Sequence, residues 1–133
     1  MIPPLPGAGQ PSQKTVLIAD DEPSLRLLVA ATIASEQITV LEAADGDEAW
    51  TLIEQHRPEL VLLDVQMPGQ TGIELTRRIR STPDLTETRV VILTSKAQET
   101  DVADGLAAGA DLYLTKPFSP ISLLTYVAQT LGV

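Results

Sequence analysis

The chain has no cysteine and a single histidine, and aromatic residues make up only 3% of its 133 positions. Lack of cysteine excludes disulfides and thiolate metal sites. With so few rings, the core must be assembled from Leu, Val, Ile and Ala. Basic residues are also scarce: nine Lys and Arg stand against 18 Asp and Glu, for a net charge of −9. This balance argues against direct binding of nucleic acid by the chain, because phosphate contacts need clustered cations. The one basic cluster, Arg77, Arg78 and Arg80, reads as a solvated helix face. No apolar run reaches the roughly 18 residues of a membrane span. Met1 to Gln13 holds four prolines and two glycines, without the basic and apolar regions of a signal peptide. These absences predict a cytoplasmic protein with a disordered leader over 1–13 and one domain over 14–133, a length that suits a single core. A last absence is local: no charged residue occurs from Pro117 to Val133.

What is present is an alternation of strand and helix patterns, repeated five times. Val16-Leu17-Ile18-Ala19 runs into Asp20-Asp21, Leu60-Val61-Leu62-Leu63 into Asp64, and Val90-Val91-Ile92-Leu93 into Thr94-Ser95. Leu112-Tyr113-Leu114-Thr115 delivers Lys116-Pro117, and Ile38 to Leu41 supplies the remaining strand. Apolar runs without alternation suit parallel strands covered on both faces. Between them, Pro23 opens a first helix with the stripe Leu25, Leu28, Val29 and Ile33. Ala49, Leu52 and Ile53 line a second helix that stops before Pro58. A third spans Thr71 to Arg80, and a fourth Glu99 to Ala108 with Gly109 as its cap. The fifth starts at Ser119 and Pro120 and is expected to bury Ile121, Leu124, Ala128 and Leu131. Five such units predict right-handed crossovers and a doubly wound α/β sheet.

Ligands of these sheets bind beyond the carboxyl ends of the strands. Three carboxylates, a hydroxyl and an ammonium therefore converge on one rim. Asp20 and Asp21 taken alone could be a helix cap with a dipole-favoured carboxylate. Asp64 is different, because a carboxylate ending a buried strand is costly unless paired or bound to metal. Three negative charges in one crevice call for a divalent cation, and Mg²⁺ takes one or two carboxylates, waters and phosphate oxygens. Thr94 offers a hydroxyl donor and Lys116 a compact positive charge. His56, at a helix end before Arg57-Pro58, reads as solvated, and Trp50 as a packing residue.

The segments Ala19-Asp20-Asp21-Glu22, Leu63-Asp64-Val65-Gln66-Met67-Pro68-Gly69, Leu93-Thr94-Ser95-Lys96 and Gly109-Ala110-Asp111-Leu112-Tyr113-Leu114-Thr115-Lys116-Pro117-Phe118 together resemble the receiver domain of two-component response regulators, of the chemotaxis-regulator type. The likeness covers about Lys14 to Gly132. It implies a flavodoxin-like sheet of order 2-1-3-4-5 and a phosphorylation-dependent switch rather than a metabolic enzyme. By resemblance, Asp64 is the phosphoacceptor, Asp20 and Asp21 hold Mg²⁺ together with Asp64, and the backbone carbonyl of Gln66 completes the protein's ligands. Thr94 and Lys116 hold the phosphoryl oxygens, and Pro117 is the cis-proline that turns Lys116 inward. Gln66 and Lys96 lie where relatives tune the attack of water on the acyl phosphate.

The resemblance also implies partners. The donor is a sensor histidine kinase or a phosphotransfer protein. Tyr113 is a rotameric switch coupled to Thr94, and the signal leaves through helix four, strand five and helix five to a downstream protein or domain. Pairing of acidic and basic residues across that face is not expected, because helix five has no basic residue. A haloacid-dehalogenase-type phosphatase would need a second Asp two residues after the nucleophile, where Gln66 stands. A flavin-binding flavodoxin would need a Ser-, Thr- or Gly-rich first loop in place of Asp-Asp-Glu-Pro. The cognate kinase, and whether the chain acts alone or within a larger protein, stay open.

Overall fold

The computed structural model describes residues 13–95 and 99–133, and of 99–102 the backbone alone. The leader expected over 1–13 therefore lies outside the described residues except for Gln13. Five strands, β1 (Lys14–Ala19), β2 (Ile38–Ala43), β3 (Leu60–Asp64), β4 (Arg89–Thr94) and β5 (Leu112–Thr115), form one parallel sheet in the order 2-1-3-4-5. The helices between them are α1 (Pro23–Ile33), α2 (Gly46–His56), α3 (Gly72–Arg80), α4 (Glu99–Ala108) and α5 (Pro120–Leu131).

Side chains of a strand alternate between faces, so each central strand feeds two cores. Leu17, Ala19, Val61, Leu63, Val90 and Ile92 pack with Ala49, Trp50 and Ile53 of α2 and Leu75 and Ile79 of α3. Val16, Ile18, Leu60, Leu62, Val91 and Leu93 pack on the other face with Val29 and Ile33 of α1 and Leu123 and Val127 of α5. Each fully buried aliphatic side chain contributes about 1.5–3 kcal/mol of transfer free energy.

Local chemistry sets the helix ends. Asp45 accepts from the Glu48 N–H at 2.7 Å, and Ser119 from the Ser122 N–H at 3.2 Å. Thr71 and Glu74 form a reciprocal capping box (3.1 and 3.0 Å), which holds the Glu74 carboxyl below its usual pKa. Arg57 closes α2 in the left-handed region, at φ 45°, immediately before Pro58.

Three expectations are corrected. On α5 the fully buried positions are Leu123 and Val127, with Leu124 and Leu131 packed partly buried against the same core as expected, while Ile121 is 75% exposed and Ala128 half-buried. The helix is apolar on most of its circumference, so docking on the sheet sets its rotation, turned from the expected stripe toward Leu123 and Val127. On α1, Val29 and Ile33 are buried but Leu28 is half exposed. The third correction concerns Arg80, which is not a solvated charge. It donates to the carbonyls of Gly109 (2.9 Å) and Thr88 (2.6 Å) and pairs with Asp111 at 2.9 Å, tying α3 to the ends of β4 and β5.

Candidate functional site

β1 and β3 are in register from Val16–Leu60 to Ala19–Leu63, so Asp20 and Asp64 leave the sheet at the same level. β4 pairs Leu93 with Asp64, and β5 pairs Thr115 with Thr94, which brings Thr94 and Lys116 to the same rim. The Lys116 N–H donates to the Thr94 carbonyl at 2.6 Å, and this bond sets where the lysine leaves β5. The Lys116–Pro117 peptide is cis.

From there Lys116 Nζ lies 2.7 Å from Asp20 Oδ2 and 3.2 Å from Asp64 Oδ2. Asp20 is fully buried; its Oδ1 accepts from the Glu22 N–H at 2.9 Å and its carbonyl from Arg26 Nη1 at 2.6 Å. Asp64 is nearly buried, and its Oδ1 accepts from the Gln66 N–H at 3.3 Å. Burial, and then the charge of Asp20, raise the Asp64 pKa, against the pull of Lys116. For Lys116, burial works to lower the pKa, but the Asp20 hydrogen bond and the two carboxylate charges prevail and raise it. Both shifts record a site with more negative charge than its one cation offsets.

Asp21 is exposed, and one oxygen from each of Asp20, Asp21 and Asp64 lies within 4.8 Å of the others. Three carboxylates with one ammonium leave a charge of −2, which a single dication cancels. An all-oxygen donor set of this kind suits Mg²⁺. Thr94 is buried at the end of β4, and Ser95 is exposed. Beside the cluster, Glu22, Ser24, Leu25, Leu28, Ser95, Lys116 and Pro117 line a groove of about 470 Å³. The half-exposed Leu28 of α1 is explained by that groove.

The family model of the response regulator receiver domain matches residues 16–128. The chain belongs to that family. It is 38% identical over 118 residues to the phosphate regulon transcriptional regulatory protein PhoB of Pseudomonas aeruginosa, covering 89% of this chain and 52% of that protein. It is 36% identical to the DNA-binding response regulator MtrA of Mycolicibacterium smegmatis, over 90% of this chain and 51% of that protein. The chain thus spans about half the length of these relatives. Among solved structures it resembles the chemotaxis response regulator CheY4 of Vibrio cholerae, with a TM-score of 0.81, 32% identity and coverage of 90% and 99% of the two chains.

The chain is thus a receiver domain of two-component signalling with a flavodoxin-like fold, and such domains are switches rather than metabolic enzymes. No described helix is long and apolar enough to cross a membrane. The rim brings together Asp20, Asp21, Asp64, Thr94 and Lys116, all expected from sequence. Tyr113 is partly buried on the α2–α3–α4 side; a Cβ on Gly105 of α4 would sit 3.2 Å from its ring carbons. Lys96 lies outside the described residues. Trp50 packs in the core and His56 is exposed at the end of α2, both as expected.

Sequence reasoning missed Arg26, which ties the Asp20 carbonyl to Glu42 of β2 (Nε–Oε1 3.3 Å). It also missed Gly72, where a Cβ would collide with the Asp64 carbonyl. No local signal marks either residue, because each acts on a backbone group that only folding brings close.

Proposed function

We propose that this receiver domain is a phosphorylation-dependent switch that accepts a phosphoryl group on Asp64, with Mg²⁺, and signals through α4, β5 and α5. The observation that carries this reading is the position of Lys116 Nζ between Asp20 and Asp64, beside a carboxylate cluster whose charge a dication would cancel. The donor is the phosphohistidine of a sensor histidine kinase or phosphotransfer protein. The groove beside Lys116, with Leu25 and Leu28 on its wall, supports docking of such a partner next to the acceptor.

Phosphoryl transfer has a loose, charge-spread transition state, so positioning and electrostatics supply most of the catalysis. A carboxylate oxygen of Asp64 forms a bond to phosphorus as the bond from phosphorus to the donor nitrogen breaks, and the imidazole leaves with a proton. Asp20, Asp21, Asp64 and the Gln66 carbonyl would hold Mg²⁺, which when bound offsets charge on the phosphoryl oxygens. Lys116 follows the negative charge, donating to a phosphoryl oxygen instead of to Asp64. The Thr94 hydroxyl donates to another, and Tyr113 turns inward behind it as a population shift between two arrangements. Water later attacks the phosphorus of the acyl phosphate, the bond to the Asp64 oxygen breaks, and inorganic phosphate leaves with Asp64 returned to its carboxylate. The domain therefore catalyses only its own phosphorylation and dephosphorylation.

Intact-mass measurement after incubation with acetyl phosphate, with and without Mg²⁺, tests the reading on wild type and Asp64→Asn. The expected result is a Mg²⁺-dependent, hydroxylamine-labile adduct that is absent from the variant. No adduct, even with a histidine-kinase donor, would move the domain to a phosphorylation-independent binding role.

A further inference from the structure

The loop joining β3 to α3, residues 65–71, touches the reacting carboxylate through the Gln66 N–H on Asp64 Oδ1. Its far side is gripped by α2. The Gly46 N–H donates to the Pro68 carbonyl at 2.9 Å, and a Cβ at Gly46 would collide with the Gln70 carbonyl. Gly69 sits at φ +78°, and a Cβ there would fall 2.8 Å from the Asp47 carboxylate. Gln70 then bridges two helices: its Nε2 donates to Asp47 Oδ1 of α2 at 3.3 Å, and its Oε1 accepts from Arg78 Nη1 of α3 at 3.0 Å. The Arg78 guanidinium lies 4.0 Å from the centroid of the Trp50 ring on α2, which closes a circuit from α2 through the loop to α3 and back.

We propose that Asp47, Gln70 and Arg78 are positioning residues for phosphoryl transfer: they fix the 65–71 loop, and with it the Gln66 backbone and the Asp64 carboxylate, in the geometry that binds Mg²⁺. The inference rests on the reading of Asp64 and Gln66 given above. None of the three side chains belongs to the acidic cluster, and each is at least partly exposed, so the role is separable from the core. Because the loop carries both the N–H that orients Asp64 and the proposed carbonyl ligand, releasing it should weaken the metal site before it affects the fold. Trp50 is the only tryptophan in the chain, so its emission reports directly on the circuit.

The test is Mg²⁺ titration by calorimetry on wild type, Gln70→Ala, Arg78→Ala and Asp64→Asn, with Tm and the Mg²⁺ dependence of acetyl-phosphate labelling measured alongside. Gln70→Ala is expected to bind Mg²⁺ about tenfold more weakly, the size seen when support behind a metal ligand is removed. Its labelling should slow at limiting Mg²⁺ and recover at saturation, and Arg78→Ala should show the same split to a smaller degree. Wild-type Trp50 emission should change on Mg²⁺ addition, with a smaller response in Gln70→Ala. Mg²⁺ affinity within twofold of wild type in both variants, with only a lowered Tm, would overturn the proposal and leave the circuit a purely structural brace. If wild type binds Mg²⁺ but is never labelled, the role of Asp64 fails while the affinity comparison still decides the circuit; no Mg²⁺ binding by wild type overturns both.

Discussion

At the carboxyl rim of the sheet, two buried carboxylates share one ammonium, whereas the α5 flank that follows it in the chain has no charge from Pro117 to Val133. The rim is held by directed contacts among groups that resist burial, and its surplus negative charge makes it responsive to a cation or to pH. The flank is held by apolar contacts of Leu123 and Val127 with the sheet and has no charged side chain of its own. One domain thus separates a region governed by electrostatics from one governed by shape.

The sharpest way to break this contrast is Lys116→Met, which leaves Asp20 and Asp64 facing each other. Labelling by acetyl phosphate should fall by about 10²-fold or more, as when a transition-state donor is lost. Stability, read from denaturant midpoints, should drop by about 3 kcal/mol, because breaking a buried pair strands a charge. Combining it with Asp20→Asn should recover much of the stability but none of the labelling. On the flank, Leu123→Ala should cost about 2–4 kcal/mol through cavity formation. That loss should be the same with and without Mg²⁺, since no charge is involved.

Smaller effects sharpen the comparison further. The folded pKa of Asp64 lies above its ordinary value of 3.8, so its contribution favours the fold at low pH and is lost as pH rises through the folded pKa. Metal-free Asp64→Asn should therefore melt a few degrees above wild type at pH 7, with the gap closing below about pH 4. Lys116 acts on the other side: its contribution is complete below its ordinary 10.5 and is lost as pH rises through the still higher folded value. Melting curves across pH 3–11 check both signs. The smallest change is expected from Thr125→Glu, on the exposed surface of α5. It should shift stability by less than about 0.5 kcal/mol and leave labelling intact while weakening binding of the downstream partner; unchanged binding would remove α5 from the output surface.

The rim was legible because a polar residue that ends an apolar strand run stands out in one dimension. Asp20, Asp64, Thr94 and Lys116 are each marked by the strand they terminate, and parallel register does the rest. α5 was legible as a helix through Ser119 and Pro120, but its rotation was not. The expected stripe of Ile121, Leu124, Ala128 and Leu131 shares Leu124 and Leu131 with the core face, so apolar spacing alone left the rotation open. The role of Arg80 was hidden for a related reason, since its partners Thr88, Gly109 and Asp111 lie 8, 29 and 31 residues away.

Element order, the two-faced parallel sheet and the chemistry gathered at its carboxyl edge were all readable from the residues alone, because periodicity, caps and strand-terminal residues are local signals. Folding alone settled how α5 is rotated on the sheet, that Lys116 reaches Asp20 more closely than Asp64, and that α2 and α3 close on the loop after Asp64. Those outcomes depend on distances between residues far apart in the chain, where packing against a common sheet selects among arrangements that local propensity leaves equal.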